Sequence, residues 1–209
     1  MGIELLIFDF DGTLFDTTLD IANAINYARK MLKMPPLDPK EVWLYTGDGF
    51  KKTVERSLRT TDGEIISLAY RYAMAYYEAH SGDFSTPVDN VLDFLKKNRM
   101  KKVILSNKNL APMMKILQKF NISNMFDEVF GFESLPFIKP DKRAVEFIIQ
   151  KYNINPCNVA LIGDAEQDVL LAKASNLRCF IIPSKQIQSD DDVHIFKNYD
   201  ELEFLLNKL

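Results

Sequence analysis

Acidic side chains follow two apolar segments of this chain, at positions where buried strands would end. Asp9 and Asp11 come directly after the apolar run Leu5–Phe8, and Asp164 follows the run 159–162. Residues two apart on a strand point the same way, so the first two carboxylates can converge on one site. Buried charges need a partner, and carboxylates without a Cys/His cluster favour Mg²⁺ over zinc. The spacing therefore predicts a magnesium site, although the same residues could instead open a turn or cap a helix.

The chain carries a set of motifs, each at a strand end or a helix start. They are Asp9-x-Asp11-Gly12-Thr13-Leu14, Ser106 after the run 103–105, Lys139-Pro140, and Gly163-Asp164 with Asp168 four residues on. In this order they resemble the motifs of the haloacid dehalogenase (HAD) superfamily, and the resemblance covers essentially the whole chain. One departure is that Lys-Pro-Asp stands where many relatives read Lys-Pro-x-Pro, which leaves the Lys-Pro pair intact.

The resemblance implies a Mg²⁺-dependent phosphatase that works through an aspartyl-phosphate. Asp9 would be the nucleophile, because a carboxylate can attack phosphorus and divide one hard step into two. Asp11 would act as general acid and base. The family assigns Mg²⁺ to the Asp9 carboxylate, the Asp11 backbone carbonyl and Asp164, and Asp168 could orient this metal shell.

Three further residues would hold the phosphoryl group. Ser106 would offer its hydroxyl, with the backbone N–H of Asn107 beside it at a helix approach. Lys139 precedes a proline and so lies in an extended segment, where its charge could neutralise the phosphoryl group. The alternatives are a capping serine and a solvated lysine.

The elements that must position these residues fall into two groups. From residue 91 onward strand and helix patterns alternate, which predicts an α/β fold with a Rossmann-like parallel sheet. Residues 17–80 contain helical patterns and no strand candidate. We therefore predict a core of residues 1–15 and 85–209 with an all-helical block, 16–84, inserted after the first strand. The resemblance implies that this block is a C1-type cap. The breaker-rich link 81–87 and the segment 15–17 are predicted to act as its hinges.

The core motifs contact only the phosphoryl group of the substrate. Recognition of the rest of the substrate would therefore have to come from the inserted block. Lys52 and Arg56 share a helix face and could favour a leaving group with a second negative charge. The alternative is a solvated face on which Lys51 pairs with Glu55. The chain looks most like the phosphoglycolate phosphatase-like branch. A phosphomutase of the β-phosphoglucomutase kind and a non-catalytic, phospho-ligand-binding regulatory protein are the other two interpretations.

Composition limits the remaining function classes. The chain has 209 residues, 47% of them hydrophobic and 26% charged, and a formal net charge of −3. This balance gives no hint of nucleic-acid binding, and no apolar run approaches the ~20 residues of a membrane span. Two cysteines make no disulfide framework, and we expect both to be buried in a cytoplasmic protein. We expect a small phosphorylated metabolite as partner, a monomer or weak homodimer, no signal peptide, and a solvated loop at the acidic run 190–192.

Overall fold

The computed structural model describes residues 2–184 and 193–208, so the acidic run 190–192 lies outside the described residues. In chain order the strands are β1 Leu5–Phe8, β2 Phe15–Asp16, β3 Thr86–Pro87, β4 Lys101–Leu105, β5 Glu128–Phe130, β6 Val159–Gly163, β7 Arg178–Ile181 and β8 Val193–Ile195. The helices are α1 Thr18–Met31, α2 Pro39–Leu44, α3 Phe50–Leu58, α4 Gly63–His80, α5 Val91–Lys97, α6 Leu110–Lys119, α7 Arg143–Tyr152, α8 Glu166–Ser175 and α9 Tyr199–Leu206, with 3₁₀ turns at Ser123–Met125 and Pro156–Asn158.

A six-stranded parallel sheet forms the centre of the fold, in the order β5-β4-β1-β6-β7-β8. Helices cover both of its faces, so the strands are apolar on both sides. In β1, Leu6 and Phe8 pack towards α5, α6 and α9, whereas Leu5 and Ile7 pack towards α7 and α8. The predicted α/β class with a Rossmann-like sheet is confirmed.

The direction in which successive strands are added to the sheet reverses between β1 and β6. After β1 it continues to β4 on one side, and after β6 it continues to β7 on the other. In open α/β sheets, ligands bind in the crevice outside the carboxyl ends of the strands at such a switch point. Asp9 directly follows β1, and Asp164 directly follows β6. Both residues therefore lie where a ligand site is expected.

Helices α1 to α4 form the inserted block and have an apolar core of their own. That core includes Ile25 of α1, Val42 of α2, Val54 of α3 and Ala73 of α4. Both connections to the sheet pass through β2 and β3, which pair antiparallel with each other. The sequence did not predict these strands, because two residues are too short to show a period.

One buried carboxylate holds the second connection in place. Asp20 of α1 accepts hydrogen bonds from the backbone N–H groups of Gly82, Phe84 and Ser85, at 2.8, 2.9 and 3.0 Å, and from the Ser85 hydroxyl. The segment 81–87, which the sequence predicts to be a hinge, is therefore tied to the first helix of the inserted block.

Removing this carboxylate should weaken the fold measurably. Asp20→Ala leaves buried N–H donors without their acceptor, so we expect the free energy of unfolding to fall by about 1–3 kcal/mol or more. Asp83→Ala is the matched control, since Asp83 is exposed and its partner is an exposed histidine. Urea titrations of both variants check the prediction, and equal costs would contradict it.

Two smaller features differ from the sequence prediction. Cys179 is buried in β7, but Cys157 is exposed because it lies in the 3₁₀ turn before β6. Thr17 precedes α1, where a threonine is a typical helix cap, but its side chain makes no capping hydrogen bond and donates its hydroxyl to Asp11 instead. Among the described residues, no helix is long and apolar enough to cross a membrane.

Candidate active site

A small cavity lies at the carboxyl edge of the sheet, beneath the inserted helices. Its volume is about 50 Å³. It is lined by every core residue that the sequence singled out: Asp9, Asp11, Ser106, Asn107, Lys139, Asp164 and Asp168. The inserted block contributes the apolar side chains of Ile21, Trp43 and Phe50. The structure thus brings the predicted core residues together in one cavity, which apolar side chains of the inserted helices cover.

Three of the carboxylates form a group that could hold a cation. One oxygen from each of Asp9, Asp164 and Asp168 lies within 4.8 Å of the others. Burial and the neighbouring charges of Asp9 and Asp168 raise the pKa of the Asp164 carboxyl well above its usual value. Gly12 permits this approach, because its φ is +80° and a Cβ there would overlap the Asp164 carboxylate. The group therefore has the oxygen ligands that a hard divalent cation prefers.

Lys139 joins two of these carboxylates. Its Nζ lies 2.8 Å from Asp9 Oδ1 and 2.7 Å from Asp168 Oδ1, and its side chain is 4% exposed. Burial lowers the pKa of Lys139, but Asp168 and Asp9 more than offset this and raise it above its usual value. The side chain therefore stays charged beside the candidate nucleophile, and it is not the solvated lysine of the alternative interpretation.

Asn107 holds the backbone of the lysine segment with its side chain. Its Oδ1 accepts from the Lys139 N–H at 2.9 Å, and its Nδ2 donates to the Lys139 carbonyl at 3.0 Å. The same amide donates to the carbonyl of Gly47 in the inserted block at 3.0 Å. Asn107 thus connects the Lys139 segment to the inserted helices through its side chain, and a contact with the substrate or the cap is what the sequence predicts for it besides the backbone contact.

Ser106 follows β4 and is buried. Its N–H continues the sheet by donating to the Phe130 carbonyl at 3.0 Å. Its hydroxyl accepts from the Lys108 N–H at 3.3 Å, and its own hydrogen remains available for a ligand, as far as the described residues show. This geometry is compatible with a hydroxyl that contacts a phosphoryl oxygen.

Asp168 and Asp164 have different partners. Asp168 accepts from the N–H groups of Asp164 and Ala165, each at 3.2 Å, at the start of α8. Ala165 is at the N-cap position of α8. Asp164 therefore does not cap that helix, in contrast to the alternative interpretation, in which it was the cap. Asp164 instead accepts from Ser184 and from Thr13, the latter at 3.4 Å.

Asp11 lies apart from the carboxylate group. Its Oδ1 accepts from the Thr17 hydroxyl at 2.6 Å and pairs with Lys108 Nζ at 2.7 Å. Lys108 also donates to the hydroxyl of Tyr77 on α4, and its side chain is 2% exposed. The family assigns only the Asp11 backbone carbonyl to the metal, and the side chain is outside the group formed by the other three acids.

Lys108 and Tyr77 also line the cavity, and the sequence gives the weakest indication of a site role for these two residues. The sequence predicts a contact with the substrate or the cap for Lys108, and core or cap packing for the tyrosines at 70–77. The position of Lys108, two residues after Ser106, parallels that of Asp11 after Asp9 and was a usable signal. No signal in the sequence pointed to Tyr77, because its helical spacing is equally that of a packing residue.

The structure does not bring Lys52 and Arg56 to the cavity. Lys52 pairs with Glu55 at 2.9 Å, and Arg56 pairs with Asp48 and donates to the Tyr45 carbonyl at 2.9 Å. The apolar face of α3, which includes Val54, packs into the core of the inserted block and turns both cations outward. The predicted alternative pair also differs, since Glu55 binds Lys52 and not Lys51.

Known proteins share both the sequence pattern and the fold. Residues 6–182 match the family model described as haloacid dehalogenase-like hydrolase. The chain belongs to this family. It is 34% identical over 188 residues to the phosphoglycolate phosphatase of Psychrobacter arcticus, which covers 85% of this chain and 82% of that one. It is 32% identical over 181 residues to the phosphoglycolate phosphatase of Neisseria gonorrhoeae, with 83% and 77% covered.

Solved structures show the same fold over nearly all of the chain. The crystal structure of a predicted phosphoglycolate phosphatase from Haemophilus somnus has a TM-score of 0.87 and 23% identity, with 98% of each chain covered. A haloacid dehalogenase-like protein from Streptococcus pneumoniae has a TM-score of 0.81 and 22% identity, with 97% and 98% covered. The overall fold of this chain is therefore one that these solved proteins share.

Proposed function

We propose that this hydrolase is a Mg²⁺-dependent phosphatase of small phosphomonoesters, with phosphoglycolate as the first candidate substrate. The observation that carries the proposal is the Asp9 carboxylate, which lies at the switch point of the sheet with Lys139 and Asp164 around it. A carboxylate so placed can serve as a nucleophile, and the cation beside it can stabilise the charge of the transferring group. The phosphoglycolate phosphatases among the relatives point to the substrate.

The residues at the cavity divide the reaction into two steps. The Asp9 carboxylate attacks phosphorus, the bond to the leaving oxygen breaks, and Asp11 gives that oxygen its proton. Asp11 then takes a proton from a water molecule that attacks the phosphoryl-Asp9, which releases phosphate, restores the Asp9 carboxylate and leaves Asp11 protonated again. Lys139 and Ser106 contact the phosphoryl oxygens in both steps.

The site also fits the cation that the family implies. The cavity carries four carboxylates against the two charges of Lys108 and Lys139, so a divalent cation would balance it. Asp9 and Asp164 would hold the ion, and Asp168 would orient Asp164 through its backbone. When bound, Mg²⁺ supplies charge stabilisation for the phosphoryl oxygens.

We further propose that residues 16–84 are the cap that closes the site. Apolar side chains from these helices line the cavity, and Gln167 of α8 donates to Asp48 of the inserted block at 3.1 Å. Excluding water in this way protects a phosphoryl intermediate and strengthens the electrostatic interactions inside. A cytoplasmic setting and a monomer or weak homodimer remain our expectations from the sequence.

A phosphate-release assay over a panel of metabolites tests the function. We expect release from phosphoglycolate with Mg²⁺, loss of release in EDTA, and recovery when Mg²⁺ is added back. Asp164→Asn should raise the Mg²⁺ requirement sharply, since it removes a charged oxygen ligand, while Asp141→Asn, at a half-exposed position outside the cavity, should not. Full activity in EDTA would end the metal hypothesis.

Two other outcomes of that assay would favour the alternative functions. Conversion of a sugar 1-phosphate into a 6-phosphate without net phosphate release would favour a phosphomutase. A protein that binds phosphorylated metabolites but leaves all of them intact would favour a regulatory role.

A further inference from the structure

Two cations line the cavity among the described residues, and they have different surroundings. Lys139 is held between Asp9 and Asp168, where the phosphoryl group would be. Lys108 contacts neither of these acids and pairs with Asp11 at 2.7 Å. One cation thus accompanies the nucleophile, and the other accompanies the proposed general acid.

The position of Lys108 next to Asp11 indicates which part of a substrate it would meet. The general acid must contact the ester oxygen that becomes the leaving group. A cation within hydrogen-bond distance of that acid therefore lies beside the carbon atoms that follow the ester oxygen. Lys108 can consequently contact the organic part of the substrate.

Lys108 also retains the means to bind an anion. An ammonium group has three hydrogens, and the described acceptors, Asp11 and the Tyr77 hydroxyl, take two of them. Its Nζ lies 4.7 Å from the centre of the Tyr77 ring, which helps to hold it in place. One hydrogen therefore remains for a ligand.

Tyr77 supplies a second donor at the same point. Its ring stacks on Phe50 with centroids 4.9 Å apart, so the hydroxyl has a fixed position. Burial, together with the charges of Asp11 and Asp20, raises the pKa of Tyr77 well above its usual value, so the phenol keeps its proton. The hydroxyl accepts from Lys108 and can donate its own hydrogen.

We propose that Lys108 and Tyr77 together bind a carboxylate carried by the leaving group, one carbon from the ester oxygen. The substrate class would then be the phosphate esters of short 2-hydroxy acids. The inference rests on the proposed phosphatase function and deepens it. The cavity of about 50 Å³ is several times smaller than ordinary ligand pockets, which favours a small substrate.

This assignment gives recognition of the second anion to Lys108 of the core and Tyr77 of α4, in place of Lys52 and Arg56 on α3. Both of those cations are held in surface pairs outside the cavity. Lys52→Met is therefore the matched control for Lys108→Met, since it removes the same charged group from the exposed side of the inserted block.

Kinetics on two substrates separate carboxylate recognition from general catalysis. The ratio of kcat/KM for 2-phosphoglycolate to that for ethyl phosphate is measured with Mg²⁺. Lys108→Met also disturbs Asp11, but this loss is common to both substrates and cancels in the ratio. We expect the ratio to fall tenfold or more in Lys108→Met and to stay unchanged in Lys52→Met. Equal losses on both substrates would overturn the proposal.

Tyr77→Phe gives a second variant that keeps the ring and its stacking. It removes one neutral donor, so we expect the ratio to fall about two- to tenfold. Circular dichroism of each variant checks folding, and Tyr77→Phe carries the test if Lys108→Met does not fold. An unchanged ratio in Tyr77→Phe would remove the tyrosine from the site.

A binding measurement tests the inference without turnover. Calorimetry compares 3-phosphonopropionate, which carries the carboxylate, with propylphosphonate, which lacks it. The wild-type protein should prefer the first at least tenfold, and Lys108→Met should lose that preference. A wild-type protein with the preference but without phosphatase activity would disprove the proposed function alone. A wild-type protein that hydrolyses ethyl phosphate but shows no preference would disprove this inference alone.

Discussion

Asp9→Asn is expected to abolish turnover, with phosphate release falling on the order of 10⁴–10⁶-fold. The amide has nearly the shape of the carboxylate but cannot attack phosphorus, and it no longer pairs with the charge of Lys139. The measurement is steady-state phosphate release with Mg²⁺ in excess. Mass spectrometry after exposure to beryllofluoride or substrate should also find no adduct on the variant.

Asp11→Asn is the control that separates the nucleophile from the acid and base. It leaves Asp9 intact, so an adduct should still form there. Turnover should fall by about 10²–10⁴-fold, the usual contribution of general acid–base catalysis. An adduct on Ser106 in place of Asp9 would contradict the assignment of both residues.

Lys139→Met is expected to remove activity and to destabilise the protein. The substitution leaves Asp9 and Asp168 buried without their cation, and breaking a buried pair in this way costs about 3–5 kcal/mol. Urea titration without metal measures the cost, and the phosphate assay measures the activity. Asp168→Asn added to Lys139→Met should recover part of the stability and none of the activity.

The matched control for that variant is Lys142→Met, three residues along the chain. Lys142 is exposed and pairs with Glu146 at 2.8 Å on the surface of α7. Surface pairs of this kind contribute about 0–1 kcal/mol, so the control should stay close to the wild type in both measurements. Equal costs for the two lysines would show that the buried contacts of Lys139 do not stabilise the fold.

The inserted helices illustrate where local patterns were informative and where they were not. Asp38-Pro39 predicted a helix start, and the Asp38 side chain accepts from the Lys40 N–H as a cap. The segment 81–87 is rich in turn residues, a composition that predicts a hinge. In the structure its backbone N–H groups donate to the carboxylate of Asp20, which lies 62 or more residues away in the chain. A composition pattern reports which conformations a segment can adopt, but not which distant group restrains it.

Apart from the short strands β2 and β3, the sequence by itself predicted the parallel sheet, the α/β class, a helical block after the first strand and the edge of the sheet that carries the acids. These follow from the hydrophobic period and from chemistry at the strand ends, both of which are local. It also singled out Asp9, Asp164 and Lys139, because their motifs, at strand ends for the two acids and before a helix for the lysine, resemble those of the HAD superfamily.

Only the tertiary structure decided which side chains face the cavity from other elements. The Lys108 ammonium meets Asp11 and Tyr77 across 97 and 31 positions of the chain. Lys52 and Arg56, although suitably charged and spaced, turn outward because the apolar side of α3 packs against the other inserted helices. The orientation of a helix is set by the burial of its apolar face, and that depends on neighbours that are distant in sequence.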